Sequence, residues 1–163
     1  MKIIEEIKLV TLSDMRVISF HGFGKSPEDI AWHNLRTWLQ ENGYQAMVKT
    51  QRFFGFNHPN PSPGSDNYGY EQWMTLPVDY SPREGEIIKT LAGGLYAVGG
   101  FRDATPQAFG RAWQAVNDWR VDSEYIYDES RQWLEELLTT ESVLEELQSL
   151  DFDCLMPVIQ LAG

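Results

Sequence analysis

The sequence predicts an α+β fold in which a tandem βαββ repeat places two helices on a curved antiparallel sheet. The strongest sign is a recurring pattern: Ala31-Trp32, followed by Trp38, returns 81 positions later as Ala112-Trp113, followed by Trp119. Because tryptophan is rare, two Trp-x5-Trp pairs, each led by alanine, indicate duplication of one unit. Segments of alternating apolar and polar residues flank both copies, as is typical of half-buried strands.

The elements of the first copy follow from local patterns. Lys2 to Leu12 and Met15 to Phe23 alternate well enough to be strands. Ser26 is a candidate N-cap, and a helix is predicted from about Pro27 to Glu41, ended by Gly43. At 100° per residue, its apolar side chains fall on one arc and predict a buried stripe: Ala31, Trp32, Leu35, Trp38 and Leu39.

Two further strands complete the first copy. Arg52 to Phe56 is predicted to be the first of them. Residues Asn57 to Asn67 contain no apolar residue except proline, which predicts a loop. Tyr68 to Leu76 follows as a strand that ends at Pro77.

The second copy repeats this order. Ile87 to Phe101 is predicted to be extended, with glycine pairs that suggest bulges. Thr105-Pro106 repeats the helix start of Ser26-Pro27, and the helix runs to about Arg120. Its predicted buried stripe matches the first helix: Phe109, Ala112, Trp113, Val116 and Trp119.

The end of the chain adds three predicted elements. Glu124 to Asp128 corresponds to the strand at Arg52, and Phe152 to Leu161 corresponds to the strand at Tyr68. Between them, Ser130 to Leu150 has a composition typical of an acidic helix. This extra helix would take the place of the loop in the first copy.

Length and composition favour one domain over 1–163, with half-repeats at about 1–80 and 81–163. The chain has 163 residues, of which 42% are hydrophobic, and contains six Trp, seven Tyr and eight Phe. No apolar run approaches the ~18 residues that a membrane helix needs, and the acidic start does not resemble a signal peptide. With one cysteine, Cys154, we expect a cytoplasmic protein that does not contact membranes.

The charge is negative and unevenly distributed. The net charge is −11, and between Asp122 and Asp153 there are eleven acidic residues against one basic residue, Arg131. A solvated helical face explains such a stretch. Its field repels phosphate, so direct binding of nucleic acid is not expected, and it attracts cations.

Several segments, in this order and spacing, resemble the effector-binding domain of AraC- and MerR-type regulators, also called the gyrase-inhibitor-like fold. The resemblance covers the chain from the Met15 strand onward. The Asn-x-Pro-x-Pro loop followed by Tyr-Gly-Tyr-Glu-x-Trp is especially similar to the stand-alone integron-cassette branch of that family. The segments that carry it are Phe54 to Pro61, Tyr68 to Trp73, Gly93 to Val98, Glu124 to Tyr127 and Met156 to Val158.

The resemblance implies a small-molecule-binding protein. Its expected site is a cleft between the two helices and the sheet that takes bulky, cationic aromatic compounds, such as those met in multidrug recognition. An acidic residue buried among aromatic side chains would recognise the charge. Because no helix-turn-helix segment is evident, we expect no DNA-binding domain, and a sensor or sequestering role.

Two glutamates compete for the role of charge recognition. Glu71 lies in an otherwise apolar strand and shares a face with Trp73. Glu124 matches the start of the family's Glu-x-Tyr strand. A buried carboxylate favours a cation, because desolvation penalises its charged form unless a positive charge compensates. A solubilising charge on an edge strand and an ordinary surface acid are the respective alternatives.

Aromatic side chains complete the predicted ligand site, since each ring face adds about 0.5–2 kcal/mol of cation–π attraction. Trp32 and Trp113 occupy equivalent positions in the two helices and are expected to face the cleft. The alternative for each aromatic candidate is a place in the core. The remaining candidates are Tyr70, Trp73, Tyr96 and Phe56.

No catalytic, metal or cofactor motif is evident. His21, His33 and His58 lack paired spacing, and Gly24-Lys25-Ser26 lacks the first glycine of a phosphate loop. We therefore expect no catalytic residue, no metal and no cofactor, and an enzyme is not the leading interpretation.

Two alternative functions remain open from the sequence. One, which only the family resemblance implies, is a hydrolase that acts on cyclopropane-bearing genotoxins with the same pocket. The other is a protein-interaction module that binds a gyrase or a regulator, with the acidic 130–150 segment as the contact surface. The protein is expected to be a monomer or a homodimer, because exposed sheet edges can pair.

Overall fold

The structure, a computed structural model, describes residues 2–3, 6–105, 109–147 and 149–161. In these ranges the chain is an α+β protein, which confirms the predicted fold class. The helices are α1 (Pro27–Asn42) and α2 (Phe109–Val121). The strands, in chain order, are β1 (Lys2–Ile3), β2 (Lys8–Leu12), β3 (Met15–Gly24), β4 (Phe53–Asn57), β5 (Tyr68–Thr75), β6 (Ile88–Leu91), β7 (Gly94–Ala104), β8 (Tyr125–Tyr127), β9 (Leu134–Leu137) and β10 (Leu150–Gln160).

The chain divides into two compact units, each with one helix. The α1 unit comprises Met15–Leu91 and Thr140–Glu146. The α2 unit comprises Met1–Asp14, Ala92–Thr139 and Leu147–Gly163. Each unit therefore combines segments that are distant in sequence.

The α1 unit contains four antiparallel strands in the order β4-β5-β3-β6. A 3₁₀-helix at Gln45–Lys49 follows α1, and another lies at Thr140–Val143. The predicted strands at Arg52 and Tyr68 are confirmed as β4 and β5. The two long strands β3 and β5 pair over eight residues, from Val17 opposite Thr75 to Gly24 opposite Tyr68.

Helix α1 begins and ends as its sequence predicts, with one exception. Pro27 occupies the first turn, and Gly43 ends the helix with φ of 69°, a left-handed conformation that favours glycine. Ser26 occupies the N-cap position, as predicted, but its side chain makes no capping hydrogen bond. The fixed φ of Pro27 and the acidic residues that follow it start the helix without that bond.

The buried stripe of α1 is narrower than predicted. Ala31, Leu35 and Leu39 are fully buried, whereas Trp32 and Trp38 are only partly buried. The stripe of α2 shows the same division: Ala112 and Val116 are buried, and its aromatic residues flank them. The small and aliphatic residues are therefore the fully buried part of each helix, and the tryptophans remain partly exposed.

In the α2 unit, β10 is the central strand. It pairs with β7 on one side, and with β9 and β8 on the other. The N-terminal strands β1 and β2 add to the outer side of β7. Helix α2 packs on a core of side chains from β7 and β10, which includes Ala97, Phe101, Phe152 and Met156.

The helix predicted over Ser130 to Leu150 is wrong. Within this range, Leu134–Leu137 forms strand β9 and Thr140–Val143 a short 3₁₀-helix; Gln148 lies outside the described residues, as does Pro106 of the predicted α2 start. Leucine and glutamate favour helices, but β9 pairs with β10 from Leu134 opposite Leu155 to Leu137 opposite Phe152. Pairing with a long buried strand outweighs this local preference.

Leu35→Ala is expected to lower the free energy of unfolding by about 2–5 kcal/mol, because it leaves a cavity beneath α1. Urea denaturation measures the effect. Ile30→Ala, on the same helix but 42% exposed, is the control, with an expected loss below about 1 kcal/mol. Equal losses for the two variants would contradict the packing of α1 described above.

Candidate functional site

A cavity of about 460 Å³ lies in the α2 unit and is named here the α2 cavity. Helix α2 contributes three of its side chains, spaced one turn apart along one side of the helix. The strand β8, the strand β10 and the loop before β9 contribute one each. The lining residues are Trp113, Asn117, Arg120, Tyr127, Trp133 and Met156.

The walls of the α2 cavity are largely aromatic. Trp113 and Trp133 meet edge to face, with ring centroids 4.6 Å apart and an interplanar angle of 74°. The indole Nε1 of Trp113 donates a hydrogen bond of 2.7 Å to Oε1 of Glu135. This bond fixes the orientation of the indole and places a carboxylate beside the cavity wall.

Charged groups of both signs lie at or near the cavity, and Asp128 is paired with Arg131 at 2.7 Å. Burial raises the pKa of Tyr127, and the carboxylates of Glu129 and Asp128 raise it further. Arg120 is a positively charged lining residue, and its guanidinium donates to Oδ1 of Asn117 through Nε (3.3 Å) and Nη2 (3.1 Å). The cavity thus combines apolar walls with neighbouring carboxylates and one restrained cation.

A buried carboxylate lies in the α1 unit. Glu71 is 3% exposed. Its Oε1 accepts three hydrogen bonds: from Lys89 Nζ (2.5 Å), Ser19 Oγ (2.7 Å) and Trp73 Nε1 (3.1 Å). Burial raises the pKa of Glu71, but these bonds and the charge of Lys89 outweigh burial and hold the pKa below its ordinary value.

Glu71 lies on the face of the strands opposite to α1. The ring of Phe20 is 5.8 Å from that of Trp38 in α1, so the Phe20 side of β3 faces the helix. Alternation along β3 directs Ser19 away from α1, and Ser19 donates to Glu71. Within this unit, therefore, Glu71 does not lie between α1 and its strands.

Two of the predicted aromatic residues do surround Glu71. Phe56 is directly opposite Glu71 in the pairing of β4 with β5. The rings of Phe56 and Trp73 are 4.8 Å apart, edge to face. Both are buried, so this part of the prediction, a carboxylate among aromatic rings, has a structural counterpart.

The remaining predicted residues are distributed over other places. Glu124 is exposed, and its Oε1 accepts a hydrogen bond from Gln160. Tyr70 pairs with Gly22 on the α1 side of the sheet, away from Glu71.

Tyr96 is buried, donates to the carbonyl oxygen of Ala92, and lies under the guanidinium of Arg131. Trp32 is partly buried on α1, and Trp113 lines the α2 cavity.

Sequence reasoning missed most of the α2 cavity. Trp133 lay in the segment predicted to be helical, and Asn117 and Arg120 lay outside the apolar stripe of α2. Spacing was the usable signal, since Trp113, Asn117 and Arg120 follow one another at four and three residues. Lys89, the cation beside Glu71, comes from β6, and its contact depends on a strand register that the sequence alone does not reveal.

The described residues offer neither a metal-binding cluster nor a membrane-spanning helix. Within the described ranges, no three His, Cys, Asp or Glu side chains come together in a way that could hold a metal ion. Neither α1 nor α2, nor any other described helix, has the length and apolar character needed to cross a membrane.

Glu71→Gln is expected to lower the free energy of unfolding by about 1–3 kcal/mol at neutral pH, because Lys89 loses a charged acceptor. The folded-state pKa of Glu71 is lowered. Its contribution is therefore present above the pKa of the unfolded chain and is lost as the pH falls through the folded-state pKa. Urea denaturation across pH should show the difference between variant and wild type narrowing in acid.

Glu124→Gln is the matched control, since that carboxylate is exposed. Its effect should stay within about 0.5 kcal/mol throughout. A gap between Glu71→Gln and wild type that does not change with pH would show that the charge of Glu71 contributes nothing to stability.

Comparison with known proteins identifies the family. Residues 8–158 match the family model "Integron-associated effector binding protein". No curated protein matches the sequence at a significant level.

Solved structures share the fold. EcmrR, solved in a complex with DNA, has a TM-score of 0.71 and 12% identity over 96% of this chain, which spans 58% of EcmrR. An integron cassette protein from the mobile metagenome of Vibrio cholerae has a TM-score of 0.58 and 11% identity, covering 95% of this chain and 97% of that one. SAV2435, bound to tetraphenylphosphonium, has a TM-score of 0.57 and 15% identity, covering 94% of both chains.

Identities this low show the fold alone, whereas the family match extends over most of the sequence. The resemblance inferred from the sequence motifs is thereby confirmed. The chain belongs to the integron-associated effector-binding protein family.

Proposed function

We propose that the protein binds bulky aromatic cations in the α2 cavity and acts by binding alone. Its family gives it a small-molecule-binding role. The observation that carries the finer proposal is the cavity itself: about 460 Å³, lined by two tryptophans, a tyrosine and a methionine. This volume falls in the usual range for pockets that hold drug-sized molecules, about 300–1,000 Å³.

The walls suit flat or branched aromatic ligands. Ring faces attract a desolvated cation by about 0.5–2 kcal/mol each. Met156 adds a flexible, polarisable side chain that adapts to irregular shapes. Such walls favour ligands whose positive charge is delocalised and weakly hydrated, because these lose little hydration on entry.

The charge distribution favours cations over anions. Glu135 lies 2.7 Å from the indole nitrogen of Trp113. Glu129 acts electrostatically on Tyr127, as does Asp128, which is paired with Arg131, and the whole chain carries a net charge of −11. A field of one sign raises the local concentration of ligands of the opposite sign. That SAV2435 was solved with tetraphenylphosphonium, a bulky aromatic cation, gives further support.

Arg120 opposes a cationic ligand and should limit affinity. Its two hydrogen bonds to Asn117 restrain the guanidinium on α2. Removing this charge should tighten the binding of cations and leave neutral ligands unaffected. Arg120 is therefore proposed to set the selectivity of the cavity for charge.

Glu71, with Trp73 and Phe56, is an alternative location for charge recognition. Lys89, its cationic partner, is 42% exposed at the side chain. A ligand cation would have to replace Lys89 on Oε1 of Glu71. Variants of the two locations separate them in one binding experiment.

Trp133→Ala is expected to weaken binding of tetraphenylphosphonium about tenfold, which corresponds to the loss of one aromatic wall. Glu135→Gln should weaken it severalfold, and Arg120→Gln should tighten it two- to fivefold, through charge. Isothermal titration calorimetry measures the affinities. Triphenylphosphine oxide, aromatic but neutral, should respond to Trp133→Ala and not to the two charge variants.

Trp32→Phe, at the repeat position equivalent to Trp113, and Glu71→Gln are the controls. The proposed location requires that both bind tetraphenylphosphonium as the wild type does. Loss of binding in Glu71→Gln together with full binding in Trp133→Ala would move the site to Glu71. Absence of heat and of any thermal shift in the wild type would overturn the proposal as a whole.

A further inference from the structure

A cluster of three aromatic rings lies at the C-terminal end of α1 and is named here the Trp38 cluster. It consists of Trp38, Tyr44 and Tyr80, with centroid distances of 5.3 Å, 6.3 Å and 6.2 Å for the pairs Trp38–Tyr44, Trp38–Tyr80 and Tyr44–Tyr80. All three contacts are edge to face. With interplanar angles of 61°, 67° and 83°, the three rings present faces in different directions, an arrangement suited to a small cation.

A nearly buried carboxylate accompanies the rings. The side chain of Glu86 is 8% exposed. Its Oε2 accepts from Trp38 Nε1 (2.8 Å) and from the hydroxyl of Tyr80 (2.8 Å), and its Oε1 accepts from the backbone N–H of Arg83 (2.8 Å). Burial raises the pKa of Glu86, but these hydrogen bonds lower it below its ordinary value, so the group is negative at neutral pH.

A tight turn fixes Glu86 in this position. The N–H of Glu86 donates to the carbonyl oxygen of Arg83 at 3.2 Å, and Gly85 has φ of 88°. A positive φ at the third residue of the turn is the signature of a type II turn and favours glycine. The turn returns the chain so that the carboxylate of Glu86 meets the backbone of Arg83.

The positive charge beside Glu86 is the guanidinium of Arg83. Nη2 of Arg83 donates to Oδ1 of Asn42 (2.7 Å) and to Oε2 of Glu86 (3.2 Å). Its guanidinium carbon lies 6.0 Å from the ring centroid of Tyr44. The side chain is nevertheless 51% exposed, so it has room to leave.

Open space adjoins the guanidinium. A cavity of about 380 Å³ is lined by Trp38, the turn residues 83–85 and Glu86. Its two carboxylates, those of Glu84 and Glu86, exceed its one guanidinium. The cavity can therefore admit a small cation next to the ring of Trp38.

We propose that the Trp38 cluster and Glu86 form a binding site for small guanidinium compounds, separate from the α2 cavity, in which the ligand takes the place of the Arg83 side chain. The ligand donates to Glu86 and Asn42 and lies against the face of Tyr44. One guanidinium nitrogen of Arg83 reaches both acceptors while the planar group lies near the Tyr44 ring, and a guanidinium is less strongly hydrated than an ammonium group of the same charge. The side chain of Arg83 shows that the site accommodates this group.

Arg83 acts as a tethered competitor in this arrangement. A group on the same chain has a high effective concentration, so a free ligand has to outcompete it. The wild type should therefore bind methylguanidinium weakly, and Arg83→Ala should bind it at least about tenfold more tightly. Arg83 would then tune the affinity and contribute no indispensable contact.

Titration of methylguanidinium, followed by the indole N–H signal of Trp38 in two-dimensional NMR, tests the proposal. This N–H donates to Glu86 and reports directly on the site; the variant Trp38→Phe assigns the signal. Saturable shifts are expected in the wild type and, at lower concentration, in Arg83→Ala. In the Arg83→Ala background, Glu86→Gln should abolish binding, and Tyr44→Leu should weaken it severalfold with the carboxylate intact.

Matched controls separate this site from general charge effects. Methylurea has nearly the same shape without the charge and should cause no shift. Tetramethylammonium carries the charge without donors and should bind more weakly than methylguanidinium. Arg111→Ala removes one exposed positive charge from the α2 unit and should bind methylguanidinium as the wild type does.

The proposal is overturned if the wild type shows no saturable shift up to about 50 mM, if Arg83→Ala binds no more tightly, or if methylurea gives the same response. A shift in Arg83→Ala without one in the wild type would also overturn it, because the wild-type site would then hold only the side chain of Arg83. These outcomes are independent of tetraphenylphosphonium binding in the α2 cavity, so either proposal can fail without the other.

Discussion

The α2 unit depends on one constraint, the pairing of β10 with three other strands. Its register with β7 directs Met156 toward α2. Its pairing with β8 places Tyr127 opposite Val158, and its pairing with β9 places Glu135 opposite Cys154. A slip of one residue would turn every one of these side chains to the other face. Hydrogen bonds between strands therefore position Tyr127 and Met156, whereas α2 and the loop before β9 supply the other walls of the α2 cavity.

The main constraint on the α1 unit is the burial of negatively charged side chains. Glu71 and Glu86 are both nearly buried, and each has one cationic partner that remains substantially exposed, Lys89 or Arg83. A carboxylate removed from water requires such compensation. Because the partner stays close to solvent, the proposed binding of a ligand cation at either place would be a competition between the ligand and the side chain of Lys89 or Arg83.

Local patterns predicted the two helices and the strands around them. A helix-ending glycine such as Gly43 and an apolar stripe are properties of a single helix, so the sequence of that helix alone is enough to recognise them. They failed between Ser130 and Leu150, where leucine and glutamate favour a helix but pairing with β10 produces a strand. The failure concealed Trp133, a main wall of the cavity. Burial of Glu71 was predictable from its apolar strand, whereas its contact with Lys89 requires knowledge of the strand order.

The edge of β10 that does not pair with β7 pairs with two strands in succession. Its residues up to Leu155 pair with β9, and those from Val158 onward pair with β8. Pro157 lies in this interval and has no N–H to offer another strand. After β8, the N–H of Asp128 donates a hydrogen bond to the carbonyl oxygen of Pro157. Nη2 of Arg131 then donates to the carbonyl oxygens of Leu95 and Val158, which holds this loop against β7 and β10. Trp133 follows these anchors and precedes the β9 ladder. Because Trp133 lies outside the paired strands, a substitution there should change the wall of the α2 cavity and leave the pairing of β8, β9 and β10 intact.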